Sequence, residues 1–270
     1  MQNDSLEKKR LKPEGCVLLK KGGGFLLLIN KIVKNLTVFL SFSTILQLKR
    51  SLEHMQEYDE LAAELGDRAN KMVEGEQLWI GLAGSPGSGK STLAAELQKR
   101  LVDLLLVIPL DGYHYYRSEL DQMDDPAEAH MRRGAPFTFN SARFTNELIE
   151  AKRSGEGSFP SFDHRIGDPI EDDIKLLKPH RIVLVEGNYL LLDADPWSQL
   201  RDLVFDEAWY LNVSVDECKR RLMKRHVDVG LSEEQALQRV MTSDGMNAEL
   251  IAAESPANAG RLVQLATFIA

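Results

Sequence analysis

The sequence predicts an α/β fold of three layers, with a five-stranded parallel sheet between helices. Three observations point there. Short apolar runs recur along the chain, helical patterns separate them, and a glycine-rich turn joins the first run to the first following helix. The runs are LWIGLAG (78–84), LLLVIPLDG (104–112), RIVLVEGNYLLL (181–192), EAWYLNVSV (207–215) and RLVQLATF (261–268). They lack polar alternation, as strands covered on both faces do.

The intervening segments carry helical spacing. In STLAAELQKRL, Leu93, Leu97 and Leu101 recur every four residues; VDECKRRLMKRH and SEEQALQRVM are amphipathic. Upstream, QEYDELAAELGDRANKM puts Tyr58, Leu61, Ala62, Leu65, Ala69 and Met72 mostly at helical spacing and predicts a lead-in helix. From Tyr113 to Lys178 the chain is polar, rich in Pro, Gly, Asp and Arg, and without a strong strand signal. An insertion of that length in a compact domain is usually a functional element.

Composition narrows the partners. A net charge of -8 and a pI near 5.4 exclude a nucleic-acid backbone as the main partner. Cys16 and Cys218 stand far apart, with neither a disulfide framework nor metal-ligand spacing, so a reducing, cytoplasmic setting is expected. Residues 1–50 instead hold ten Lys/Arg against Asp4, Glu7 and Glu14. Residues 25–48 are the most apolar stretch, but Lys31 and Lys34 leave an uninterrupted run only from Leu36 to Leu48. That is short of the roughly twenty residues a spanning helix needs. Residues 1–54 therefore read as an N-terminal extension: a membrane anchor, an organellar presequence, or residues outside the native working protein, with the domain occupying 55–270. An organellar or membrane-anchored location follows only from the first two readings.

The sharpest motif is Gly84-Ser85-Pro86-Gly87-Ser88-Gly89-Lys90-Ser91, followed by Thr92, a full G-x-x-x-x-G-K-S match between an apolar strand and an amphipathic helix. Its glycines allow a tight loop whose N–H groups surround phosphate oxygens at a helix N-terminus. Lys90 then reaches the β- and γ-phosphates of ATP, and the Ser91 hydroxyl ligates Mg²⁺. A P-loop alone does not name a reaction. No D-x-x-G occurs, and neither Asn-Lys pair, Asn30-Lys31 nor Asn70-Lys71, carries the following aspartate of a GTPase.

Two acids follow other strands. Asp111, in LDGYHYYR, stands where ligands bind beyond the carboxyl ends of a parallel sheet, able to take a proton from an attacking hydroxyl. Glu186 follows Val183-Leu184-Val185, where an ionisable group needs a partner. Mg²⁺ supplies one, and Glu186 then holds a metal-bound water or polarises the attacking group. Asn188 reads as a loop hydrogen-bonder.

Together, GSPGSGKST, LDGYHYY, MRRGAPFTFN, FPSFDHRIGDPIEDD and VLVEGNYLLL resemble the phosphoribulokinase/uridine kinase family, nearest its nucleoside/fructokinase-like branch. The family also includes pantothenate kinase-like enzymes. The resemblance covers residues 55–270 and none of the extension. It implies a P-loop NTPase fold with a helical lid, Asp111 as base or metal organiser, and Glu186 as the Walker-B-like acid. It further implies that Arg133 shapes the acceptor site, that Asp163 and His164 contact substrate, and that Arg221 and Arg225, one helical turn apart, close over ATP and stabilise the transferring phosphoryl group. Asp244-Gly245-Met246-Asn247 resembles a family loop near the nucleotide.

The function expected is ATP- and Mg²⁺-dependent transfer of the γ-phosphoryl group to a hydroxyl of a nucleoside, sugar or related metabolite. The alternative is a P-loop ATPase or nucleotide-sensing regulator with no acceptor. Expected partners are ATP and the small-molecule acceptor, with a homodimer allowed.

Overall fold

The computed structural model describes residues 42–265 apart from His164, with side chains described from Met55 onward. Contacts divide the chain into Met1–Ser51 and Leu52–Ala270. The residues expected to form an extension thus lie mostly outside the described ones. Among the described residues no helix is long and apolar enough to cross a membrane.

Helix α1 (Phe42–Lys71) leads into β1 (Leu78–Ala83), α2 (Lys90–Arg100) and β2 (Leu105–Pro109). After β2 come a 3₁₀ turn (Leu110–Tyr113), α3 (Arg117–Leu120), α4 (Pro126–Met131) and α5 (Ser141–Ser154). Strands β3 (Gly157–Asp163) and β4 (Asp168–Leu176) precede β5 (Ile182–Gly187), α6 (Ser198–Leu203), β6 (Glu207–Leu211) and α7 (Val215–Asp228). Helix α8 (Glu233–Arg239) passes through a π-turn (Val240–Asp244) into α9 (Gly245–Glu254), and β7 (Arg261–Val263) ends the described fold.

The main sheet has five strands in the order β2-β5-β1-β6-β7, every pair parallel. Its alternate side chains separate two cores. Leu78, Ile80, Leu82, Ile182, Leu184 and Trp209 face Leu61, Leu65 and Ala69 of α1 and Leu93 and Leu97 of α2. Trp79, Ala83, Ile108, Val183, Val185 and Tyr210 face Phe144 and Leu148 of α5, Phe159 of β3 and Trp197. All six residues of β1 and all six of β5 are buried, which explains why these strands read as unbroken apolar runs. The expected three-layer α/β fold is the one observed, and the lead-in helix packs through the face the spacing predicts.

The insertion departs from its sequence reading. Strands β3 and β4 pair antiparallel in a separate two-stranded sheet, where no strong strand was expected. Four successive β4 residues, Ile170 to Asp173, are exposed, and three of them are acidic. Pro160 sits at a register shift between Phe159 and Ser161, where a missing N–H is tolerated. Backbone pairing, with only a few buried residues such as Phe159, holds the hairpin, and hydropathy does not report it.

The hairpin is pressed onto the turn that follows β2. A Cβ on Gly112 would lie 2.1 Å from the Pro160 carbonyl oxygen, so only glycine fits there. Around it, Tyr113 donates to Glu147 of α5 (2.5 Å), while Arg143 bridges Glu147 (2.8 Å) and Glu171 of β4 (2.7 Å). Gly112→Ala is expected to push turn and hairpin apart, costing about 1–3 kcal/mol as other overpacked sites do. A thermal melt should show a midpoint lower by several degrees; an unchanged midpoint would mean the contact is not a close one.

Candidate active site

Strand β1 delivers the chain to the phosphate loop at the carboxyl edge of the sheet. Gly87 (φ 80°) and Gly89 (φ 96°) lie in the left-handed region, and Gly89 immediately precedes α2. The loop is held from behind. A Cβ on Gly87 would meet the Cys218 carbonyl oxygen of α7 at 2.7 Å, and Ser85 donates to the Ala248 carbonyl of α9 (3.2 Å). Arg221 donates to the Ser88 carbonyl (3.0 Å) and, through Nε, to Glu217 (2.7 Å). Arg220 and Arg221 hold the Glu217 carboxyl down to about 2, so it remains an anion in the first turn of α7, the lid helix.

The second element is Glu186, the penultimate residue of β5. Ser91 donates to its two carboxylate oxygens at 3.2 and 3.3 Å, and the residue is only 6% exposed. Burial pushes its carboxyl up to about 7, with Lys90 opposing the shift and the charge of Asp111 adding to it. Lys90, Asp111 and Glu186 are thus within electrostatic reach, one cation against two acids.

The loop, the turn after β2 and the lid helix enclose a pocket of about 370 Å³. Lys90, Ser91, Asp111, Asn188, Arg221 and Arg225 all line it. Pro86, Gly87, Gly89 and Thr92 line it as well, whereas Ser85 and Ser88 are wholly buried within the loop's own packing. Gly84 is confined by Ser88, whose Oγ would lie 2.7 Å from a Cβ there.

The remaining sequence candidates separate. Arg133 donates to the carbonyls of Gly167 and Tyr115 (2.9 Å for Tyr115) and to Asp168 (3.1 Å), with its guanidinium over Phe162. Its donors brace the insertion against the hairpin, at the wall of an adjoining cleft. Asp163 accepts from the backbone N–H of Arg165 (2.7 Å), which closes the β3–β4 turn and lowers its carboxyl below the usual range. His164 lies outside the described residues. Arg221 mainly clasps loop carbonyls, whereas Arg225, among the described residues, has neither hydrogen bond nor ion pair and lines both pocket and cleft.

The stretch expected to form a loop near the nucleotide, 244–247, is instead helical: Asp244 ends the π-turn and Gly245–Asn247 open α9. Both Asp244 and Asn247 nevertheless line the pocket. The π-turn adds a residue to the helix and re-aims the turns C-terminal to it. His226 of α7 meets Asp244 at 2.6 Å and ties the lid to that turn. Asn247 donates to the Gly134 carbonyl (3.3 Å), which also accepts from the Tyr189 hydroxyl.

His114 and Phe139 escaped the sequence reading altogether. The 3₁₀ turn sets His114 beside the pocket, its Nδ1 donating to the Asp111 carbonyl (2.8 Å) and its ring 4.0 Å from that of Phe139. The spacing of three from Asp111 was a usable signal for His114; nothing local marks Phe139.

Comparison with known proteins agrees with this geometry. The family model described as "Phosphoribulokinase / Uridine kinase family" matches residues 79–248. The Schizosaccharomyces pombe protein named "Putative uridine kinase C227.14" is 41% identical over 198 residues, covering 70% of this chain and 84% of that protein. "ATP-dependent kinase YFH7" of Kluyveromyces lactis is 33% identical over 210 residues, covering 63% of this chain and 60% of that one. Among solved structures, the "putative fructose transport system kinase" of Silicibacter sp. TM1040 superposes with a TM-score of 0.66 at 31% identity, over 76% of this chain and 98% of that one. These names agree on the reaction class and differ on the acceptor. With 170 consecutive positions under the family model and the phosphate loop, Asp111 and Glu186 gathered at one sheet edge, the chain belongs to the phosphoribulokinase/uridine kinase family of ATP-dependent P-loop kinases.

Proposed function

We propose that residues 55–270 form a small-molecule kinase that transfers the γ-phosphoryl group of ATP to an alcohol hydroxyl, with 1–54 an extension outside the catalytic domain. One observation carries the choice over a simple ATPase. Asp111 lines the phosphate-loop pocket together with Lys90 and Ser91, and also lines the cleft that continues beyond it. An acceptor lying in that cleft would bring its hydroxyl to a carboxylate already beside the phosphates. Hydrolysis needs no such second chamber.

In the transfer, the acceptor oxygen bonds to Pγ as the bond from Pγ to the β–γ bridging oxygen breaks, and ADP departs. Asp111 takes the hydroxyl proton and releases it to water. Lys90 balances charge on the β- and γ-phosphates, and Arg225 is placed to meet the phosphoryl oxygens from the lid. Arg221 positions the loop through the Gly87 and Ser88 carbonyls.

Ser91 and Glu186 suit Mg²⁺. They present hard oxygen donors within 3.3 Å of each other beside the phosphate site, and Mg²⁺ commonly takes only one or two protein ligands with phosphates and water. When bound, it would neutralise the β,γ-phosphates. Glu186 carries the negative charge to hold it, directly or through water.

Lys90→Ala and Asp111→Asn are each expected to lower kcat by a hundred- to a thousandfold, about 3–4 kcal/mol, with circular dichroism unchanged. Full turnover by Asp111→Asn would refute its role as base. Acceptor-independent hydrolysis at the full rate, across a panel of hydroxyl acceptors, would replace the kinase reading by the ATPase one.

Glu186 gives a pH prediction. Its folded-state carboxyl is raised to about 7 from 4.5, so the nucleotide-free fold loses stability as pH rises through that window. Glu186→Gln should therefore melt higher than the parent at pH values above about 7, with the gap shrinking toward acid, while turnover collapses. A gap that stays constant with pH would show that Glu186 is not a strained buried acid.

A further inference from the structure

The cleft beyond Asp111 has a charge pattern that the reaction itself does not explain. It measures about 830 Å³ and lies between the insertion on one side and the lid on the other. Arg117 and Arg133 line it from the insertion, Arg225 and Arg239 from the lid, and among the described residues Asp111 is the only carboxylate in its lining. A chain with net charge -8 thus concentrates four guanidinium groups around one chamber. Phosphoryl transfer accounts for Arg225 at most, since Arg117, Arg133 and Arg239 line the cleft and not the phosphate pocket.

The pairing of these arginines sharpens the pattern. Arg133 is committed to Asp168 and to backbone carbonyls, and Arg239 lies 4.0 Å from Asp244. Among the described residues, neither the Arg117 nor the Arg225 side chain makes a hydrogen bond or ion pair. The Arg117 guanidinium lies over Gly167, where its Nη2 would be 2.2 Å from a Cβ, so the hairpin glycine permits its close approach. Three histidines, His114, His130 and His226, complete the polar lining; His226 is engaged by Asp244 and His130 by Asp121.

We infer that the acceptor is an anion: a hydroxylated metabolite bearing a phosphate or carboxylate group, which Arg117 and Arg225 grip across the cleft while its hydroxyl faces Asp111. This rests on the kinase reading of the same site and adds the class of acceptor. A planar guanidinium pairs bidentately with either anion, and opposed arginines on insertion and lid would draw the two walls together around it. Neutral nucleosides and free sugars would leave Arg117 unmatched.

The test uses matched pairs that differ only by the anionic group: a pentose and its terminal phosphate ester, glycerol and glycerate, pantothenol and pantothenate. Turnover with ATP and Mg²⁺ should favour the anionic member of at least one pair, with Arg117→Gln raising its KM about tenfold or more and leaving the KM for ATP unchanged. Arg117→Lys should recover part of the loss, and Arg153→Gln, on the far exposed end of α5, should change nothing. Equal or better use of the neutral members, or an Arg117→Gln enzyme with unaltered KM, would overturn the proposal and leave the kinase intact. Calorimetry separates the other failure. With the ATP site filled by a non-hydrolysable analogue and Mg²⁺, titration of the same anions should give binding that Arg117→Gln loses. Binding of the anions without transfer to any member of any pair would uphold the anion site and overturn the kinase reading; no anion binding and no transfer to any member, anionic or neutral, would overturn both.

Discussion

Complete burial of both faces of the two central strands of a parallel sheet constrains everything else in this molecule. Strands β1 and β5 have no exposed residue, so neither face offers room for a polar side chain. Chemistry is confined to the end where the strands stop. There the chain turns at Gly84 after β1, at Leu110 after β2 and at Asn188 after β5, and each turn contributes to the same pocket. The phosphate loop, Asp111 and Glu186 lie far apart in sequence, yet parallel register makes their convergence unavoidable. Leu82 is level with Glu186, and Pro109 with Glu186 on the other side.

Glu186 is the exception that this arrangement tolerates. As the next-to-last residue of β5, it keeps the burial of a strand residue while its carboxylate reaches Ser91. Burial raises its pKa, because the carboxylate form is poorly solvated there. Lys90 offsets part of that shift, and Asp111 adds to it. Glu186 and Asp111 outnumber Lys90 locally, an imbalance that a divalent ion held beside Glu186 would relieve.

Legibility in the sequence followed the range of the interactions involved. The five strands, α2 and the lead-in helix were readable because burial periodicity is local, and the phosphate loop because its backbone demands glycine at fixed positions. Asp111 and Glu186 were readable from their places at strand ends. The β3–β4 hairpin was not, since cross-strand backbone bonds leave no hydropathy pattern in DPIEDDIKL. Helix in place of a loop at 244–247 escaped for a related reason: a π-turn is fixed by packing of α8 and α9, with His226 fastening Asp244. Phe139 reaches the site through long-range contact with His114 and Tyr189. The charge of Arg133 was visible, but not that its donors would be consumed by Tyr115, Gly167 and Asp168.

That last point bears on how such a fold acquires different acceptors. The loop and Glu186 belong to the sheet, whose packing leaves little freedom. The cleft beyond Asp111 is instead walled by the insertion and the lid, two elements joined to the core by individual contacts: Gly112 against Pro160, Tyr189 and Asn247 on the Gly134 carbonyl, Arg221 on the loop. Arg117 stands on one of those walls with no side-chain hydrogen bond or ion pair among the described residues, so exchanging it perturbs no core and no brace. Under the proposed function, selectivity would change by substitution at such exposed positions while the phosphate loop stays fixed. A family whose relatives share the reaction and differ in the named acceptor is what that separation of rigid and replaceable parts produces.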